Sequence, residues 1–282
     1  MTGRIRWLES LLVHAVLLGA TAFALYPVLW VLSLATSGAP WLEPRLWPWP
    51  VDPTLTRFVE VVGPSPDGRW LFGRQLAGSL LVSGATALVC LVLATPAAYA
   101  MSRFDFVGRG LTERTLLATQ MFPGVAAAVP LYLLLDALGL IDTRTGLVLA
   151  YATSAVPFAL FQLRATFDAI PRELDEAALV DGASRPVAFW RVVLPAARPG
   201  LAVTALFAFL TAWNEFALAA TFLSAEERFT LPVVLHRYAA EHGARWDLFA
   251  AGAVLVSVPP MILFYWLQRH LVSGWTAGAI KG

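Results

Sequence analysis

The sequence predicts an all-α polytopic membrane protein with about six transmembrane helices, and three observations carry that prediction. Hydrophobic residues fill 58% of the 282 positions. Charged residues fill only 14%, where a soluble domain needs roughly 25% to cover its surface. The apolar residues also gather in runs close to the ~20 residues needed to cross a hydrocarbon core.

The first run, 8–34, follows Arg4 and Arg6. It is longer than the apolar region of a signal peptide, and no small-residue cleavage site precedes Tyr26-Pro27, so it is read as a helix. The remaining runs are 76–101, 116–138, 146–163, 200–223 and 248–268. Pro96, Pro123-Gly124 with Pro130, Pro157 and Pro259-Pro260 fall inside them; in a membrane, neighbouring helices can re-satisfy the backbone groups that such residues free. Arg103, Arg109 and Arg114 crowd one short connection, which places it in the cytoplasm and both termini with it.

The whole chain, 1–282, then reads as a single transmembrane domain. Its outer loops are 37–75 and 224–247, its large cytoplasmic loop is 164–198, and 269–282 is a cytoplasmic tail. Loop 37–75 is rich in Pro and Trp, which suits extended chain lying against the membrane interface. Loop 224–247 is more polar, and neither loop is long enough for a substantial soluble domain. A net charge of +1 gives no field for nucleic acid or acidic substrates. The single cysteine, Cys90, excludes an internal disulfide and a zinc cage.

The cytoplasmic loop reads RATFDAIPRELDEAALVDGASRPVAFWRVVLPAAR. Pro171 suits a helix start, and Glu173, Asp175 and Glu176 follow where the helix dipole favours negative charge. Leu174, Ala177 and Ala178 fall on one face. Gly182 can supply the left-handed residue that ends the helix. A second short helix follows Ser184–Pro186, with Phe189, Val192 and Val193 on one stripe and Pro195 limiting it. Four acids, Asp181 included, make this elbow a poor match for an anionic membrane surface.

Glu176-Ala177-Ala178, then Gly182, Val192 and Leu194-Pro195 at their spacing, resemble the EAA motif of ABC-importer permeases. That family usually has Ile where Val192 stands. Chance agreement at six positions is on the order of one in a million. Gln120-Met121-Phe122-Pro123, Trp213-Asn214-Glu215-Phe216, Thr230-Leu231-Pro232 and the tail from Gly274 to Gly282 resemble the MalG-type sugar permeases, the tail most closely the maltose-system members. The resemblance implies the type I importer permease fold and one of two permease subunits lining a sugar pathway, maltose or maltodextrin first. Trehalose, another oligosaccharide or glycerol phosphate are the alternatives. It also implies two ATPase partners, a MalF-like second permease and an extracytoplasmic binding protein. Glu176, Ala177, Ala178, Asp181, Gly182, Leu194 and Pro195 would then couple to an ATPase, and Gly278, Ile280, Lys281 and Gly282 would reach between the two ATPases.

No Walker A motif occurs, so ATP with its magnesium belongs to the partners and no cofactor is expected on this chain. Asn214, Glu215 and Gln120 are candidate pathway or substrate residues, because polar groups inside a span are costly and face the bundle interior. A polar clamp between helices accounts for Asn214 and Glu215 equally well. No metal-ligand spacing and no nucleophile–base motif appears, so the chain is not expected to be an enzyme. An ion-coupled secondary transporter is the alternative from another class, and Glu215 is its one plausible coupling acid.

Overall fold

The computed structural model describes residues 2–38, 46–65, 68–121, 124–240 and 244–276. The described residues are predominantly helical. The helices are α1 (Thr2–Thr36), α2 (Thr56–Val62), α3 (Phe72–Arg103), α4 (Arg109–Gln120), α5 (Ala128–Ala137), α6 (Arg144–Asp168), α7 (Glu173–Val180), α8 (Arg185–Ala196), α9 (Arg198–Trp213), α10 (Ala217–Phe222), α11 (Leu231–Ala240) and α12 (Trp246–Thr276). Among the described residues the extended pairing is one isolated bridge, Ser37 with Pro53.

Four helices are long and apolar enough to cross a membrane unbroken: α1, α3, α6 and α12. Two of the expected spans are interrupted instead. The run 116–138 is divided between α4 and α5, with a 3-10 turn at Gly124–Ala127. The run 200–223 is divided between α9 and α10, because the helix stops at Trp213 and restarts at Ala217. Pro96 and Pro157 break nothing: α3 and α6 run through them. The segments expected to be outer loops hold more helix than their composition suggests, α2 in the first and α11 in the second.

The chain divides into two compact units, Met1–Phe72 with Val234–Val258, and Gly73–Val233 with Pro259–Gly282. In the first unit, Ala35, Val61, Leu248, Ala250 and Ala251 form a small core. Asp247, with no exposed side-chain surface, lies beside it. Arg57 Nε approaches its Oδ2 at 2.9 Å and Arg245 Nε its Oδ1 at 3.0 Å. Glu60 joins both arginines at 3.2–3.3 Å. A buried carboxylate is tolerable only when paired in this way.

The second unit is built on α3, α5, α6, α9 and α10. Tyr151, Leu147, Val82, Phe222 and Ala219 are at the centre of its core. Gly200 opens α9 against Thr166 of α6 with no room for a side chain between them. Phe158 and Phe207 stack at 3.9 Å across the same pair of helices. At one end Asp142 accepts from the Ser224 and Ala225 N–H groups at 2.9 and 3.1 Å and pairs with Arg228 at 2.8 Å. That clasp fastens the α5–α6 turn to the segment after α10. Burial disfavours the charged form of Asp142, but the two N–H donors and Arg228 outweigh it and hold the carboxyl below its usual range.

Candidate functional site

Two features of the second unit bring the sequence candidates together: an elbow formed by α7 and α8, and a cavity bounded by the α4–α5 and α9–α10 breaks. In the elbow, α7 ends in a left-handed residue as its sequence requires. Gly182 has φ +86°. Its N–H donates to Leu179 O, and the Ala183 N–H reaches back to Ala178 O at 3.0 Å. That pair of bonds is the Schellman arrangement. A Cβ at Gly182 would meet open space, so the backbone angle rather than crowding demands glycine here.

The start of α7 differs slightly from expectation. The helix begins at Glu173, and Pro171 lies just ahead of it. Asp175 is not a solvated first-turn acid. Its Oδ2 accepts from Arg103 Nε at 2.9 Å and its Oδ1 from the Tyr99 hydroxyl at 2.8 Å. Arg103 Nη2 donates to Ile170 O at 2.9 Å, and Arg172 Nη2 donates to Ser102 O at the same distance. The Ser102 hydroxyl donates to Asp168 at 2.6 Å. The last turn of α3 is thereby tied to the α6–α7 connection and to α7.

An aromatic cluster completes the joint. The Tyr99 ring lies 4.6 Å from Phe189 and 5.7 Å from Phe167 between centroids. The pair with Asp175 rotates α7 so that Ala178 is buried, while Leu174, Glu176 and Ala177 stay exposed. The expectation of one shared alanine face is corrected accordingly: Ala178 packs inward and Ala177 looks out. Leu174, Ala177 and Val180 form the outward arc, with Val180 88% exposed, while Leu179 lies one turn after Asp175 on the inner side. Asp181 and Gly182 are exposed beside it.

Leu194 and Pro195 lie inside α8, and Pro195 does not end it as the sequence suggested. The helix widens to a π turn over Phe189–Val193, and the Leu194 N–H donates to Phe189 O five residues back. Having no N–H, Pro195 leaves no donor stranded by that change of register. The end falls instead at Ala196, after which the chain bends by 74° into α9.

The cavity holds about 650 Å³ and is lined by Gln120, Thr119, Thr153, Ser154, Pro157 and Glu215 among others. Both helix breaks abut it: Gln120 and Gly124 from one, Glu215 and Ala217 from the other. Glu215 is a cap as well as a lining group. Its two oxygens accept from the Leu218 and Ala219 N–H groups at 2.9 and 3.2 Å, satisfying the first turn of α10. Asn214 is not part of the lining. It is exposed and its side-chain amide donates to Leu210 O at 2.9 Å. The Thr153 and Ser154 hydroxyls, overlooked in the sequence, donate to carbonyls of their own helix at 2.7 and 2.9 Å. Polar residues spread through an apolar run were their only sequence signal.

Phe122, Pro123 and the tail residues Gly278, Ile280, Lys281 and Gly282 lie outside the described residues. Among the described residues no cluster of His, Cys, Asp or Glu could hold a metal ion.

A family model described as "Binding-protein-dependent transport system inner membrane component" matches residues 57–276. The chain belongs to this family. A relative from Streptomyces antibioticus, a "Putative ABC transporter permease protein ORF1", is 40% identical over 82% of this chain and 99% of that one. The trehalose transport system permease protein SugB of Mycobacterium tuberculosis is 34% identical over 92% of this chain and 93% of its own. Among solved structures, a bacterial ABC transporter involved in import of the acidic polysaccharide alginate superposes with a TM-score of 0.75 at 27% identity, covering 92% of this chain and 94% of that one. Membership in a binding-protein-dependent family leaves the ion-coupled reading without support, and the acid on which it depended, Glu215, caps a helix.

Proposed function

We propose that this chain is one of two permease subunits lining the pathway of a sugar importer, and that the α7–α8 elbow is the part driven by an ATPase subunit. The observation that carries this is the construction of the elbow. Its inner side is tied to α3 and α6 by the Arg103–Asp175 pair and the Tyr99 cluster, and its outer side presents Leu174, Ala177 and Val180 to the exterior. A joint of that kind passes a push on its exposed edge to two long helices at once. Glu176, Ala177, Ala178, Asp181 and Gly182 shape the driven helix, and Leu194 and Pro195 lie in the arm that leads into α9.

The chain acts as a single permease domain with six crossings: α1, α3, α4 with α5, α6, α9 with α10, and α12. The 74° bend sets α8 across α9, so α8 lies along the surface when α9 crosses. Broken helices survive at membrane depth only where the break is buried in protein or lines a water-filled cavity, and both breaks here abut one cavity. That supports a pathway with Gln120, Thr119, Thr153, Ser154 and Glu215 on its wall, and Asn214 outside it. Both termini are cytoplasmic, and the tail at Gly278–Gly282 reaches between the ATPases.

The partners are a second permease of the MalF kind, two ATPase subunits that use ATP and magnesium, and an extracytoplasmic sugar-binding protein. This chain carries no cofactor. Maltose or maltodextrin is the first choice of sugar, supported by the likeness of 230–232 and of the tail to maltose-type permeases. Trehalose follows, supported by the relative that transports it, then other oligosaccharides and glycerol phosphate. The test is ATP hydrolysis by the complex co-purified with its neighbouring gene products. Binding protein loaded with maltodextrin should stimulate hydrolysis more than protein loaded with trehalose. Purification of the chain alone, with no stimulation by any loaded binding protein, overturns the importer reading.

A further inference from the structure

We infer that the membrane boundary farther from the N-terminus crosses α1 at Tyr26–Trp30, and that Leu46, Trp47 and Trp49 rest in its headgroup layer. The packed end of the first unit then stands in water beyond the hydrocarbon. α1 is too long for a bilayer. Its 28-residue apolar stretch Glu9–Thr36 spans ~42 Å at ~1.5 Å per residue, against a core ~30 Å thick. Either its surplus tilts within the membrane or one end protrudes.

Aromatic side chains place the boundaries. Trp7 marks one end, and Tyr26 and Trp30 lie roughly 29 to 35 Å along the helix from it, which brackets the core thickness. Tyr26 and Trp30 are joined to each other, the Trp30 Nε1 donating to the Tyr26 hydroxyl at 3.1 Å. The Tyr26 hydroxyl donates in turn to Leu46 O at 2.9 Å. This bond draws the 46–51 segment down beside α1, well short of its end.

The segment then climbs back. Val51 N donates to Ser37 Oγ at 3.1 Å, and Gly38 N to Val51 O at 2.9 Å. From Tyr26 to Ser37 the helix rises ~16 Å, and the segment from Leu46 to Val51 climbs between those two anchors, turning at Pro48 where Trp49 N donates to Trp47 O at 2.9 Å. Trp47 and Trp49 therefore lie between the Tyr26 and Ser37 levels, Trp47 in the interfacial layer of ~5–8 Å and Trp49 at its outer edge. They are 81% and 78% exposed, which suits rings whose apolar bodies and indole N–H groups meet a surface that is part lipid and part water.

A second observation points the same way. Arg57, Glu60, Arg245 and Asp247 pack against the core that Ala35 joins. Four ionised side chains at hydrocarbon depth are strongly disfavoured, so the last two turns of α1 belong above it.

The test is spin-label depth in the full complex reconstituted in nanodiscs. Cysteines are placed singly at Leu46, Trp47, Trp49 and Val59 in a Cys90→Ala background. Collision with oxygen reports lipid, and collision with a soluble nickel chelate reports water. The inference expects the oxygen-to-nickel ratio at 46, 47 and 49 to exceed that at Val59 several-fold. Ratios at 46–49 equal to that at Val59 would overturn it, and so would shielding from both reagents, which would mean that a protein partner covers the segment.

Discussion

The elbow and the cavity belong to the same unit and use their polar groups in opposite ways. In the elbow, polar side chains bond across elements: Arg103 of α3 to Asp175 of α7, Ser102 to Asp168, Arg172 back to Ser102 O. In the cavity they bond within their own helix or its first turn: Thr153 and Ser154 to carbonyls a turn below, Glu215 to the start of α10. A part that transmits force must not change partners. A part that lets a solute pass must offer groups already satisfied, so that no donor is stranded when the solute leaves. The difference fits the lever and the pathway proposed for them.

Breaking the lever has the largest effect. Arg103→Ala leaves the half-buried Asp175 without its cation, and losing such a charged hydrogen bond costs about 1.5–3 kcal/mol. The same loss should appear in Asp175→Ala and should not add in the double variant, as thermal unfolding of the purified complex would read. Additive losses would mean that the two side chains act separately.

Gly182→Val comes next. A β-branched residue at φ +86° costs about 1–2 kcal/mol, which α7 can absorb by twisting its last turn. Membrane level should stay near normal while uptake falls several-fold. Normal uptake would remove Gly182 from the lever.

Glu215→Ala strips the cap from α10 and costs about 0.5–2 kcal/mol. Sugar uptake should fall together with it, because the same carboxylate lines the cavity. Ser154→Ala should barely change stability, since its hydroxyl serves only its own helix, yet should shift the apparent KM for uptake. An unchanged KM in both variants would place the sugar elsewhere.

The smallest effect concerns pH. The Asp142 carboxyl is held below its usual range in the folded chain, so its stabilisation is complete above the unfolded value near ~3.9. That stabilisation is lost as pH falls through the lower folded value. The clasp at Ser224 and Ala225 should be indifferent between pH 8 and 5 and should weaken only in stronger acid. Asp142→Asn should remove that acid dependence. Amide exchange at residues 224 and 225 reads both.

The sequence disclosed the elements that obey local rules. The apolar runs gave the four long helices, and Gly182 could be read from its place after an eight-residue helix, because glycine is the residue that tolerates a left-handed end. The breaks in the third and fifth expected spans were not legible, since apolar composition continues through both. Only Pro123-Gly124 and the Asn214-Glu215 pair marked where they fall. Least legible was the joint itself. Arg103 and Asp175 lie 72 positions apart, and each had a sufficient local reading, one as a topology charge and the other as a helix-dipole acid. Such pairs follow from the packing of α3 against α7, which periodicity does not encode.

The most direct test of the lever is the number of sugar molecules imported per ATP hydrolysed by the reconstituted complex, with and without Gly182→Val. The account predicts that hydrolysis stimulated by the binding protein persists while sugar per ATP drops several-fold. An unchanged ratio, whether both rates hold or both fall together, would contradict it.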